Sequence, residues 1–343
     1  MEILAEITTS EVRTYLKPHE GKIVTLDGIR KEFNIVQGTR SFTAVRNIMF
    51  QLAEQRIVKP TGMRPGEYRV IETVIPVEFT LDGEDSEGVL DVHHPRSYID
   101  DTTFGLEDMV ELSKGDLILI TGETNYGKTA IALSYLGENL GLFKSSVLMG
   151  SEYTSSSGEI SPKLKGRLRR MDWADWVGED GKPRFKLLPV EHDYEDYMER
   201  DGLTVIDWIS LPGEYYLIDR VMKTLKNGEG GGLGAVVLQK NKTAEFAEGG
   251  QRSERYADLV LKIDRFGQYE SLMTIGKVKS AKGRIPSGRT FAFGITNKGA
   301  NLENIREVVK CSTCHFRGFI RKNNEPKKCP TCEGKKYIDK LED

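Results

Sequence analysis

The sequence has no long apolar run and little net charge. None of its apolar stretches approaches the ~20 residues that a membrane span needs, and the N-terminus lacks the basic and apolar regions of a signal peptide. We therefore expect a cytoplasmic protein without a membrane contact. The formal net charge of −3 over 343 residues carries no overall nucleic-acid signature. Any contact with DNA would have to come from local basic surfaces.

Cysteine is also scarce, and all of it lies near the C-terminus. The four cysteines form two CxxC pairs separated by fourteen residues: Cys311, Cys314, Cys329 and Cys332. This spacing predicts a tetrahedral Zn²⁺ site, because a cytoplasmic chain rarely forms disulfides. We predict a zinc ribbon at residues 308–340, held together by the metal. Basic residues and aromatic rings lie together there, so the ribbon could bind DNA or, equally, a protein.

One stretch carries the clearest chemical signal. Residues 122–129, GETNYGKT, fit the phosphate-loop pattern G-x-x-x-x-G-K-[ST]. An apolar run before the loop predicts a buried parallel strand, and the residues after it predict a helix, so that loop amides and helix N-terminus face one anion. Lys128 would neutralise the β- and γ-phosphates and Thr129 would ligate Mg²⁺. We predict an ATP site formed by the whole loop: Gly122, Glu123, Thr124, Asn125, Tyr126, Gly127, Lys128 and Thr129.

The N-terminal residues 1–71 predict a small α+β domain. Two short helical signals, a clearer helix beginning near Ser41 and a hairpin follow one another in the order of a winged-helix domain. In such a domain the third helix enters the major groove and the hairpin contacts the backbone. Arg46 on the helix and Lys59 and Arg64 on the hairpin are then candidates for DNA contact. A protein-binding surface is the alternative.

Residues 72–103 differ in composition from what precedes them. They contain nine acidic residues against a single arginine, Arg96, and they lack periodicity. This composition is typical of a solvated linker. We predict an acidic linker between the first domain and the phosphate-loop domain.

From Thr102 onward the chain resembles the RecA/DnaB-type ATPases, the superfamily of RecA-like recombinases and hexameric helicases. The run TTFGLEDMVELSKGDLILITGETNYGKTAIAL is similar to the family's segment leading into the phosphate loop, and residues 102–300 follow its motif order. The resemblance implies an α/β core at 104–305 with a mostly parallel sheet. It also implies catalytic roles: Glu152 polarises the attacking water, Asp207 holds Mg²⁺, and Gln239 senses the γ-phosphate.

The resemblance implies a DNA-binding loop and a subunit interface as well. Residues 240–256 are similar to the second DNA-binding loop of the family, in which single-stranded DNA would meet Lys240, Lys242, Phe246, Arg252 and Arg255. Lys277 and Lys279 match a basic pair that reaches the nucleotide of the adjacent subunit, which requires a homo-oligomeric ring or filament. A solvated loop and a basic hairpin edge are the plainer interpretations.

These features predict an oligomeric, DNA-dependent ATPase of DNA replication, recombination or repair. Its cofactors would be ATP, Mg²⁺ and Zn²⁺, and its partners DNA and proteins of replication or recombination. A DnaB-like ring helicase or translocase remains open, although Lys279 stands where such helicases usually have arginine. A second alternative is an ATP-switched DNA-binding adaptor or regulator without motor activity.

Overall fold

The computed structural model describes residues 7–73, 87–154, 158–209, 215–228, 230–242, 244–322 and 325–340. The chain forms two compact units, Met1–Gly83 and Glu84–Asp343. Among the described residues, no helix has both the length and the apolar character needed to cross a membrane.

The first unit contains the three predicted helices and the hairpin, and a short strand that was not predicted precedes the second helix. Its helices and strands are α1 (Thr9–Leu16), β1 (Ile23–Thr25), α2 (Leu26–Glu32), α3 (Arg40–Glu54), β2 (Val58–Pro60) and β3 (Glu67–Val70). The three strands form an antiparallel sheet in the order β1-β3-β2. α3 begins at Arg40, next to the predicted start near Ser41, and the Thr39 hydroxyl caps the helix by accepting a hydrogen bond from the Phe42 amide.

The second unit is built on a ten-stranded mixed sheet. Its helices are α4 (Lys128–Glu138), α5 (Pro162–Arg170) and α6 (Ile218–Gly228). Its strands are β4 (Val89–Leu90), β5 (Leu112–Ser113), β6 (Asp116–Gly122), β7 (Ser146–Met149), β8 (Lys186–Leu188), β9 (Leu203–Ile206), β10 (Leu233–Gln239), β11 (Leu259–Phe266), β12 (Glu270–Val278), β13 (Thr290–Thr296), β14 (Asn301–Lys310), β15 (Phe319–Lys322), β16 (Glu325–Lys328) and β17 (Tyr337–Asp339).

The large sheet runs in the order β17-β14-β13-β12-β11-β6-β10-β9-β7-β8. Strands from β8 to β11 are parallel, and the pairs from β11 to β17 are antiparallel. The central parallel strands β6, β7, β9 and β10 are buried along nearly their whole length because both of their faces are covered. Tyr135 of α4 is buried on one face and Met222 of α6 on the other. The predicted α/β class is confirmed, and the carboxyl ends of β6, β7, β9 and β10 meet at one edge.

The prediction of a linker at 72–103 is wrong for its second half. β4 pairs with β5, Val92 and His94 are buried, and the Asp100 carboxylate accepts a hydrogen bond from the Asn304 amide at 2.7 Å. Residues 87–103 therefore pack as part of the second unit. The most acidic stretch of the predicted linker, residues 78–86, lies outside the described residues.

The cysteine-containing segment is joined to the large sheet at both of its ends. β14 runs through residues 305–308, where the boundary between core and ribbon was predicted, and leads to Cys311. β17 then returns and pairs with the end of β14. The ribbon is consequently an extension of the sheet edge and not a separately tethered domain.

The buried imidazole of His94 makes the stability of the second unit dependent on pH. Burial, with smaller effects of Lys282 and His93, lowers the pKa of His94 from 6.5 to about 3, and a ring nitrogen lies 2.9 Å from the Tyr135 hydroxyl. Between these pH values the unfolded chain takes up a proton that the folded chain does not. The free energy of unfolding should therefore decrease as the pH is lowered from 6.5 to about 3, by up to about 1.4 kcal/mol per pH unit.

The measurement is denaturant unfolding at several pH values between 7 and about 4, with His94→Asn removing the group. The stability difference between wild type and His94→Asn should shrink as the pH falls. His93→Asn is the matched control, because His93 is exposed. Parallel pH curves for wild type and His94→Asn would show that His94 does not contribute.

Candidate nucleotide site

The phosphate loop connects β6 to α4, as the motif predicts. Gly127 adopts φ 102°, a left-handed conformation that favours glycine, directly before the helix. A Cβ atom at Gly122 would lie 2.2 Å from the Ile263 carbonyl oxygen, and one at Gly127 would lie 2.3 Å from Cδ1 of Ile295. The Ile263 backbone therefore requires glycine at position 122, and the left-handed conformation favours it at position 127.

Lys128 is held inside the loop. Its ammonium donates a hydrogen bond to the Glu123 carbonyl at 2.7 Å. Burial lowers the pKa of Lys128, and the charges of Asp207 and Glu123 act in the opposite direction. The amine is thus positioned at the centre of the loop, where a phosphate would replace the carbonyl as its partner.

Asp207 follows β9 and is almost completely buried, with 5% of its surface exposed. The Tyr153 hydroxyl donates a hydrogen bond to the Asp207 carboxylate. Burial raises the pKa of Asp207, and hydrogen bonds from Tyr153 and Thr129 with the charge of Lys128 act against that rise. A carboxylate and a hydroxyl side by side fit a Mg²⁺ ion bound with phosphate oxygens. Thr129 and Asp207 would hold that ion here.

Tyr153 is a contact that the sequence analysis missed. It lies in the 3₁₀ turn Ser151–Tyr153 after β7, next to the predicted catalytic residue Glu152. A Cβ at Gly150 would be 3.0 Å from the Tyr153 ring and 2.3 Å from the Asp207 carbonyl oxygen. Gly150 therefore lets the ends of β7 and β9 approach, and the tyrosine hydroxyl ties the turn carrying Glu152 to the predicted metal ligand.

The loop forms one wall of a cavity of about 520 Å³. The cavity brings together residues from separate predicted motifs, namely residues 124–129, Glu152, Asp207 and Gln239. The Gln239 amide donates a hydrogen bond to the Thr124 hydroxyl at 3.0 Å, which links the end of β10 to the loop. Arg167 and Lys298 line the same cavity and were not predicted. Basic side chains and hydroxyls around a phosphate loop suit a nucleoside triphosphate.

Lys277 and Lys279 do not line this cavity. The Lys277 ammonium donates hydrogen bonds to the carbonyls of Glu254, Arg255 and Ala257, at 3.1, 3.0 and 2.5 Å. Lys279 pairs with buried Asp258 at 3.0 Å, while 63% of the Lys279 side chain remains exposed. A contact with the nucleotide of a second subunit stays a prediction for both.

The predicted DNA-binding loop contains one residue that cannot serve as a surface contact. Lys240 is buried and forms an ion pair with Asp264, so the prediction of DNA contact for Lys240 is wrong in this conformation. Phe246 is half-buried, with the Lys262 ammonium 4.6 Å from its ring centroid. Lys242 and Arg252 are exposed, and exposed Arg255 pairs with Asp219 at 3.1 Å.

The four cysteines come together as predicted. All are buried, and their sulfur atoms lie within 4.8 Å of one another. The Cys311–Cys329 and Cys314–Cys332 sulfur distances are 3.8 and 3.7 Å. Four sulfurs about 2.3 Å from one Zn²⁺ ion would have edges of about 3.8 Å, so the cluster fits a Zn–S₄ centre. The Gly318 amide donates a hydrogen bond to the Cys314 sulfur at 3.3 Å, as ligating thiolates require.

In the first unit, Arg46, Lys59 and Arg64 are all exposed. Arg46 and Arg64 line one cavity of about 460 Å³ together with Arg30, and Lys59 does not. Their role in DNA binding stays a prediction.

The sequence matches no family model and no curated protein. Among solved structures, the chain is similar to the crystal structure of a KaiC-like protein from the hyperthermophilic archaeon Pyrococcus horikoshii OT3. The identity is 15% and the TM-score 0.44, over 62% of this chain and 98% of that chain. A likeness at this level bears on neither the substrate nor the partners of this chain.

Proposed function

We propose that this chain hydrolyses ATP with Mg²⁺ and uses the hydrolysis cycle to change its grip on single-stranded DNA. The observation that carries the proposal is the convergence of the phosphate loop, Asp207, Glu152 and Gln239 on one cavity. Lys128 and the loop amides would bind the phosphates, and Thr129 and Asp207 the metal. Glu152 would orient a water molecule for attack on the γ-phosphate and accept its proton.

Coupling to DNA would pass through Gln239. Its amide contacts Thr124 of the loop, and the next residue, Lys240, opens the segment that carries the exposed cations Lys242 and Arg252. A γ-phosphate that engages Gln239 would break its bond with Thr124 and shift the start of this segment. Because Lys240 is fixed to Asp264, we place the DNA phosphates at Lys242, Arg252 and Arg255 instead.

An oligomer is part of the proposal. Lys279 is largely exposed and lies outside the cavity of its own subunit, which suits a role at the cavity of a neighbour. Lys277 donates hydrogen bonds to carbonyls at the end of the predicted DNA-binding segment. Lys277 and Lys279 together would then link this segment to the nucleotide at the subunit interface.

The decisive experiment is ATP hydrolysis by the full chain, with Mg²⁺, with and without single-stranded DNA. We expect hydrolysis that DNA stimulates and that weakens at high salt, since phosphate contacts release counterions. ATP binding without hydrolysis would favour the ATP-switched adaptor. Stimulated hydrolysis with strand displacement on a forked substrate would favour the ring helicase, and no nucleotide binding would refute the proposal.

A further inference from the structure

We propose that Arg167 is a catalytic residue that contacts the terminal phosphate of ATP bound in its own subunit. The inference rests on the proposed function. Arg167 lies on α5, a helix outside every predicted motif, and its half-buried side chain lines the cavity that also contains Glu152 and Asp207. A guanidinium in that position is supplied by the same chain that supplies the phosphate loop.

The surroundings of Arg167 are shaped to hold its guanidinium. α5 is anchored by buried Leu164 and Leu168, which fixes the direction in which Arg167 projects. A Cβ at Gly299 would lie 3.0 Å from Nη2 of Arg167, and Gly299 adopts φ 87°. The turn Asn297–Gly299 therefore leaves space for the arginine. One turn away, Arg170 donates a hydrogen bond to the Asn297 carbonyl at 3.0 Å and ties helix to turn.

Arg167 shares its cavity with the groups that are predicted to act on the γ-phosphate. Thr129, Glu152 and Asp207 line the same cavity. Five other arginines of the second unit form ion pairs with carboxylates: Arg96, Arg184, Arg255, Arg289 and Arg306. Within the part of the chain that the structure describes, no carboxylate forms an ion pair with Arg167. An anionic ligand in the cavity would supply the missing partner of the Arg167 guanidinium.

The chemistry explains why a cation is needed there. Water attacks the γ-phosphorus, the bond from phosphorus to the β–γ bridging oxygen breaks, and ADP leaves as phosphate forms. The water proton goes to Glu152 and then to the products. Negative charge collects on the γ-phosphate oxygens and the leaving oxygen during transfer, and a planar guanidinium can bind two of those oxygens at once. Arg167 would stabilise this charge without a contribution from a second subunit.

The first test compares Arg167→Ala with Arg169→Ala, whose arginine is exposed on the same helix and does not line the cavity. We expect Arg167→Ala to lower kcat by about 10²–10³-fold with little change in nucleotide affinity or melting temperature. Arg167→Lys should recover part of the loss, and Arg169→Ala should hydrolyse ATP as the wild type does. A wild-type kcat in Arg167→Ala would overturn the proposal.

The second test separates action within a subunit from action across an interface. Arg167→Ala is mixed with Lys128→Ala, in which the phosphate loop is disabled but Arg167 is intact. If Arg167 serves its own cavity, mixing restores no activity, because no cavity contains both side chains. Recovery on mixing would overturn the proposal.

A mixture of Lys279→Ala with Lys128→Ala is the positive control, since the largely exposed Lys279 is proposed to act between subunits. If hydrolysis recovers in this control mixture but not in the mixture with Arg167→Ala, the result supports the assignment of Arg167 to the cavity of its own subunit. Absence of hydrolysis in the wild type would refute the proposed function itself, and is thereby distinguished from failure of the inference.

Discussion

Glu152→Gln is expected to lower kcat for ATP hydrolysis by about 10²–10⁴-fold while ATP binding stays close to that of the wild type. The amide keeps the size of the side chain but cannot accept a proton from water. Glu152 is exposed on its turn and lines the cavity, and its neighbour Tyr153 makes the contact with Asp207. The substitution should therefore leave both the turn and the metal ligand in place.

Steady-state hydrolysis and equilibrium binding of a fluorescent ATP analogue measure the two quantities separately. Glu179→Gln, an exposed carboxylate on a distant turn that does not line the cavity, is the matched control and should behave as the wild type. An unchanged kcat in Glu152→Gln would remove the residue from the mechanism. A protein whose biological function survives the loss of hydrolysis would act as an adaptor and not as a motor.

The parts of the site that the sequence could predict are those in which local pattern dictates geometry. The phosphate loop needs only the strand before it and the helix after it, and all three are consecutive. Asp207 and Gln239 follow apolar runs, and parallel strands bring their carboxyl ends to one edge of a sheet. The spacing of the cysteine pairs alone predicts a zinc site, and the sulfur distances are compatible with that prediction.

The parts that could not be predicted depend on packing between distant segments. Arg167 reaches the cavity because Gly299, far along the chain, leaves room for it. Lys240 has the same basic character as its exposed neighbours, and only the return of β11 places Asp264 beside it. A linker is predicted at residues 87–103 because acidic residues dominate the composition, although a few apolar side chains there, such as Val92, are buried. The composition of a segment predicts how well it is solvated but not whether it packs against the rest of the chain.

Loss of zinc is expected to unfold the segment between β14 and β17 while the nucleotide cavity keeps its structure. A structural Zn–S₄ site contributes about 10–16 kcal/mol of apparent binding free energy, which is folding free energy for a unit with so small a core. Among the residues described in this segment, Ile320 and Ile338 are the partly buried apolar residues that pack against the four cysteines. The other contacts at this edge are the pairing of β15 with β16, the short pairing of β17 with β14, and the ion pairs Arg306–Asp339 and Lys340–Glu307.

Elemental analysis should find about one zinc ion per chain, and Cys329→Ser should lower that content and raise amide exchange across residues 311–339. Ser312→Ala, within the first cysteine pair but exposed, should change neither quantity. Full metal content or unchanged exchange in Cys329→Ser would contradict the assignment. Because β14 is also paired with β13 along most of its length, exchange in β13 should stay slow and ATP should still bind. A combined loss of metal and ATP binding would instead show that the ribbon supports the core sheet through β14.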